Sequence, residues 1–224
     1  MTEDPRPPRR DVARNRQALV DAARTAFGDH GLQAPLEPIA VAAGLGNATL
    51  YRHFPTRAAL WEAVLTEPLQ EVLDLVERCR ALSADDPWSG FATFVRETAE
   101  IEARSSGFSD LMTTDYRDAP TLLDLRIRVQ DGVDALFHAA RDAGAMRPDA
   151  ELADVAMVQL SIAGTISTFG RVAPESFRRW VDLALDALRA PATPREPLRA
   201  RPLRGDQVRR ALAERQQPTT RQKA

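Results

Sequence analysis

Between Pro35 and Phe54 two apolar patterns of helical period, each of about two turns, meet at Gly44-Leu45-Gly46, and this tight junction constrains the chain more than any other feature. Leu36, Ile39, Ala40 and Ala43 recur at i, i+3, i+4 and i+7, opened by Pro35 as a first-turn proline and closed by Gly44. Beyond the junction, Leu50 and Phe54 share one face while Asn47, Tyr51 and Arg52 point elsewhere, and Pro55 stops the pattern. A longer helix precedes the pair, from Asp11 to His30, with Leu19, Ala22, Ala23, Ala26 and Phe27 on one side and Gly31 placed as its C-terminal cap. Two short helices on a tight turn, braced by a third, match the helix-turn-helix plan for inserting a helix into a DNA major groove. The outward residues of the second short helix are Asn47, Thr49, Tyr51, Arg52 and His53. Hydroxyls, an imidazole and an arginine donate to phosphate oxygens, and Asn and Arg also address base edges.

The rest of the chain reads as all-α. Thr56 stands as N-cap of a fourth helix carrying Leu60, Val64, Leu65, Leu69, Val72, Leu73 and Val76 and running to about Arg80. Helical patterns resume at about 88–104, 106–115, 119–144, 150–169 and 175–190, with Asp149 placed as the N-cap of the fourth of these. No period-two run rich in Val, Ile and Thr offers a strand. The organisation expected is a basic, disordered arm over 1–10, a DNA-binding head over 11–57, a helical body over 58–190, and a Pro/Arg-rich tail over 191–224 that is mostly disordered, with one short helix at Asp206 to Arg215.

Charge separates these parts. The formal total of −2 divides into +2 for residues 1–57, −10 for 58–190 and +6 for 191–224, so that a polyanion suits the ends better than the middle. A single cysteine excludes an intrachain disulfide framework and a cysteine zinc site. His30, His53 and His138 are scattered and Cys79 lies in an apolar helical stripe, so no catalytic constellation, metal site or cofactor site is expected and the chain does not read as an enzyme. Neither a signal peptide nor a membrane span is expected, which points to a cytoplasmic protein.

The segment AGLGNATLYRHFPTRAALWEAVL resembles the recognition segment of the TetR family of transcriptional repressors, in register over roughly residues 14–66. The resemblance implies that Thr49, Tyr51 and His53 contact backbone phosphates, that Asn47 and Ala48 face bases, and that Arg52 reaches either. It implies a phosphate at Thr56 and Arg57, where the fourth helix begins, and core positions for Leu50 and Phe54. Arg6, Arg9, Arg10, Arg14 and Arg16 are placed to track flanking DNA. Three departures stand out: Ala34-Pro35 lacks the hydroxyl common there, Val41-Ala42-Ala43 lacks charge, and Pro68 falls inside the fourth helix. An unrelieved interior proline costs about 3 kcal/mol. Two readings of Pro68 stay open: a hinge, or a helix that ends at Thr66 and restarts.

By the same resemblance the body binds a small-molecule effector and forms a homodimer that reads a pseudo-palindromic double-stranded operator. The dimer contact is expected in residues 150–190, where Ala153, Ala156, Met157, Leu160, Ala163, Gly164, Ser167 and Thr168 make one small-residue face and Phe177, Trp180, Val181, Ala184, Leu185 and Leu188 another. Phe94, Met112 and Tyr116 are candidate pocket walls, with Gln159 and Thr165 as polar anchors. The competing reading is a helical small-molecule or protein sensor that never touches DNA.

Overall fold

A computed structural model of the chain describes residues 9–104, 108–193 and 196–215. They form α1 (Arg9–His30), α2 (Leu36–Ala42), α3 (Asn47–His53), α4 (Arg57–Ser83), α5 (Pro87–Arg104), α6 (Phe108–Thr113), α7 (Pro120–Asp142), α8 (Leu152–Phe169), α9 (Ser176–Leu188) and α10 (Gly205–Arg215). Among the described residues there is no strand, and one backbone bridge joins Met146 to Arg189. The all-α expectation holds, with element ends within a few residues of those read from the pattern.

The long helix α4 organises the molecule. Its 27 residues extend about 40 Å, packing on α1 at one end and between α5 and α7 at the other, while α8 and α9 lie against α5. Apolar positions on several of its faces are buried, from Leu60 and Trp61 through Leu69 and Leu73 to Val76 and Cys79. One continuous core therefore runs from Leu19 in α1 to Leu188 in α9. Thr56 caps α4 as expected, its Oγ1 accepting from the Ala59 amide at 3.1 Å. The helix passes through Pro68 without a break and ends at Ser83, so the reading in which it stops at Thr66 is overturned. Burial of Leu65, Leu69 and Val72 on either side of the proline holds the helical path despite the lost backbone donor.

One further expectation changes. Glu151, not Asp149, caps α8: its side chain and that of Asp154 make a reciprocal capping box. Asp149 instead accepts from Arg147 Nε at 2.5 Å and from the Leu198 amide at 2.8 Å, which ties the C-terminal segment to the α7–α8 turn. By length and composition alone α8 is apolar enough to cross a membrane, Asp154 being its only charged residue, and one such helix does not overturn the expectation of no membrane span. Only 17% of that stretch is buried within the chain.

The described part of the tail is not free chain: α10 rests on α6 and α8. Arg6 lies outside the described residues, and Arg9 and Arg10 fall within α1 rather than in an arm.

The crossing of α4 and α7 depends on a missing side chain. A Cβ at Gly132 would stand 2.1 Å from Val76 Cγ1, so the backbones approach closer than any larger residue permits. Gly132→Ala should lower unfolding free energy by about 1–3 kcal/mol in urea titrations; an unchanged midpoint would show that the crossing yields. The tail clasp carries a pH signature. The Arg147 side chain first, then the Leu198 amide, lower the Asp149 pKa from 3.8 to about 2. The clasp is thus intact above the ordinary carboxylate value and is released as pH falls through the lowered one. The Leu198 amide resonance should titrate with an apparent pKa of about 2, and a transition near the ordinary carboxylate value would refute the contact.

Candidate nucleic-acid interface and ligand cavity

The geometry of α2 and α3 follows from apolar anchoring on one side only. Ile39, Ala40 and Leu50 are fully buried and Phe54 nearly so, packed with Leu19, Ala23 and Phe27 of α1. At the junction Gly44 has φ +68°, a conformation that side chains rarely adopt, and the Leu45 amide reaches back to Ala40 O at 2.9 Å. With Leu50 turned inward, the opposite face of α3 is outside: Asn47, Ala48, Tyr51 and Arg52 are exposed, and Thr49 and His53 are half-buried. Tyr51 is 52% exposed, a large aromatic held in water by a short, well-anchored helix.

The flanking groups divide into outward and inward. Thr56 is exposed, and since its oxygen accepts from Ala59 its hydroxyl proton remains for another acceptor. Arg57 is drawn back into the head, where Nη1 donates to Ala34 O at 2.7 Å and Leu32 O at 3.2 Å. Burial lowers its pKa from the ordinary value. Trp61 Nε1 donates to the same Leu32 carbonyl at 3.0 Å. Arg14 is exposed and pairs with Asp11 at 3.1 Å. Arg16 lies over the Phe54 ring, 5.1 Å from its centroid, and so braces α3 instead of extending toward flanking DNA. Burial first, then Arg52 and Arg16, holds His53 below its usual pKa. Its Nε2 is buried with no hydrogen-bond partner among the described residues.

In the body, Phe94, Met112 and Gln159 come together in a recess of about 130 Å³, with Gln130, Val133, Leu152, Val155 and Leu160 completing the walls. Gln159 Nε2 is fixed by Thr98 Oγ1 at 2.9 Å, which in turn donates to Phe94 O at 2.8 Å. Tyr116 and Thr165 are not brought there. Tyr116 is fully buried behind α6, its hydroxyl donating to Leu111 O at 2.8 Å and its ring edge-on to Trp61 at 6.1 Å. Thr165 donates to Ser161 O of its own helix at 2.9 Å. Cys79 is buried, and burial pushes its thiol pKa up, which suits a core thiol and not a nucleophile.

The last two body helices also sort differently from their sequence pattern. Phe177, Val181, Ala184, Leu185 and Leu188 form the inward stripe of α9 and belong to the chain's own core. The exposed apolar residues are Met157 and Phe169 on α8 and Trp180 and Leu183 on α9. Sequence reasoning missed Trp61, whose role depends on a carbonyl 29 residues away. It also missed Gln130 and Val133, although their i, i+3 spacing placed them on one helix face.

Comparison with known proteins follows the same division. Residues 19–64 match the family described as bacterial regulatory proteins, tetR family, and residues 86–190 match the C-terminal domain described as transcriptional regulator SbtR-like. The HTH-type transcriptional activator FasR of Mycolicibacterium smegmatis is 27% identical over 150 residues, 66% of this chain and 68% of its own. The HTH-type transcriptional repressor LfrR of the same species is 39% identical over 77 residues, 34% of this chain and 37% of its own. Among solved structures, the TetR transcriptional regulator SCO0520 from Streptomyces coelicolor is 30% identical, covering 79% of this chain and 99% of that one, with a TM-score of 0.45. A TetR family transcription regulator from Marinobacter aquaeolei VT8 shares the fold at 18% identity and a TM-score of 0.54, covering 82% of this chain and all of its own.

Arg57→Ala removes the donor to Ala34 O and one of two to Leu32 O. It should destabilise the head by about 1–3 kcal/mol, read by urea unfolding, and Trp61→Phe should lose about 1 kcal/mol while keeping most of the ring. Wild-type stability in both would mean that the loop before α2 holds its shape unaided.

Proposed function

Because this chain belongs to the tetR family of bacterial regulatory proteins, in its DNA-binding head and in its helical body, we propose that it is a homodimeric repressor released from a pseudo-palindromic operator by a small-molecule effector. Proteins of this family are DNA-binding transcriptional regulators, not enzymes. The observation that carries the reading is the division of α3 into a sealed face at Leu50 and an exposed face at Asn47, Ala48, Tyr51 and Arg52. In the major groove Asn47 and Ala48 address bases, Thr49, Tyr51 and His53 address phosphates, and Arg52 takes either. Thr56 offers its hydroxyl proton to a phosphate, Arg14 adds a cation at the side, and Arg57 acts by positioning α2.

The exposed apolar residues of α8 and α9 support a two-fold partner, because such a surface on a lone chain is costly in water. The recess at Phe94, Met112 and Gln159 supports an effector site, with Tyr116 and Thr165 set aside. Release is linkage: an effector that prefers the head spacing unsuited to DNA shifts the population, and DNA opposes the effector equally. Among the relatives one is named an activator and one a repressor. Repression is the simpler assignment, since a dimer sitting on a promoter blocks it without touching polymerase. The protein acts in the cytoplasm, where its DNA is.

Genomic fragments retained by the purified full chain should share a two-fold motif with half-sites about one helical turn apart. Affinity for that motif should fall by about a thousandfold or more between roughly 50 and 200 mM salt. Retention of random fragments, or near-flat salt dependence, would refute the operator reading.

A further inference from the structure

We propose that the segment from Leu198 to Val208 is a wall of the effector chamber, and that the chamber takes a straight-chain carboxylate whose tail lies in the apolar recess and whose head pairs with Arg126. This deepens the effector reading above and rests on it.

The recess alone, about 130 Å³, falls short of the 300 to 1,000 Å³ that small-molecule sites ordinarily occupy. It adjoins a vestibule of about 780 Å³ through the shared residues Met112, Thr113, Gln130, Leu152 and Ala156. One side of that vestibule is built by the tail, from Pro202, Leu203, Arg204, Gly205 and Val208. These residues lie beyond residue 190, where the match to the family's C-terminal domain stops. The wall is held in place at two points: the Leu198 amide on Asp149, and α10 against α6 and α8. The docked tail thus supplies one side of a site of ordinary size.

The charges facing the vestibule identify the ligand's head. Asp115 is engaged by Arg117, Asp134 accepts from Gln130, Glu151 belongs to the α8 capping box, and Arg204 pairs with Asp206. Arg126 differs. Its Nε is buried and has no hydrogen-bond partner among the described residues. The nearby Asp115 charge, already held by Arg117, feels the Arg126 charge without a hydrogen bond between them. A guanidinium whose buried Nε lacks a partner, beside an apolar recess, favours a carboxylate attached to a hydrocarbon. A matched alcohol accepts from the same donor but leaves the guanidinium charge unpaired, so the carboxylate gains a charge-assisted bond that the alcohol lacks.

The test is calorimetric titration of the full-length protein, without DNA, using octanoate, decanoate and dodecanoate against the matched alcohols. At least one carboxylate should bind, with its alcohol weaker by about tenfold or more. Arg126→Gln should abolish that preference, and Val208→Asp should weaken carboxylate binding by about tenfold while leaving the thermal unfolding of the unliganded protein in place. Absence of binding by all three carboxylates, or equal affinity for acid and alcohol, would overturn the ligand class. Unchanged affinity in Val208→Asp would overturn the tail as a wall. Retention of genomic fragments by the same preparation is read separately, so failure to recognise DNA counts against the regulator and not against the chamber.

Discussion

The Leu32 carbonyl is where the molecule's two halves are joined. It accepts from Trp61 Nε1 and from Arg57 Nη1, both on the first two turns of α4, while Arg57 also holds Ala34 O two residues before the start of α2. A charged and a neutral donor on one loop fix the entry of the helix pair relative to a helix that itself reaches deep into the body. Everything exposed on α3 inherits its direction from that joint. The single continuous core has the same meaning: it passes from α1 along α4 into the body.

Trp61 also faces the other way. Its ring meets Tyr116 edge-on, Tyr116 donates to Leu111 O, and Leu111 and Met112 are adjacent on α6, where Met112 walls the recess. Contact is therefore unbroken from the cavity, through one hydroxyl and two aromatic rings, to the loop that opens α2. A displacement of α6 meets an aromatic edge that is itself bonded to the head, and close-packed groups of this kind respond by repacking as a unit.

The parts legible in the sequence were those set by local period and cap chemistry. Leu36, Ile39, Ala40, Leu50 and Phe54 show their faces through spacing alone, and Thr56 shows its capping role through its place before an apolar run. What stayed hidden depends on partners far away in the chain. Tyr116 carries the composition of a pocket wall but is claimed by Trp61, and Arg57 looks like a phosphate contact until the carbonyls of residues 32 and 34 approach it. Asp149 sits where an N-cap belongs, yet Arg147 and Leu198 hold it elsewhere, and the apolar residues of α9 divide between core and surface in a way that one period cannot assign. The described part of the tail is the plainest case, since its composition argues for solvated chain and the hollow beside α6 and α8 gives it somewhere to rest.

The proline within α4 and the bare glycine opposite Val76 have a joint geometric outcome. Beyond Pro68 the helix is gripped at a spot where no side chain separates it from α7, whereas before Pro68 it lacks one rung of its own ladder. From that rung to Arg57 the helix forms an arm of about 16 Å. An angular deflection of about 10° carries the arm's end sideways by about 3 Å. In the proposed dimer a swing of that size would put two reading heads out of step with the helical repeat of the duplex.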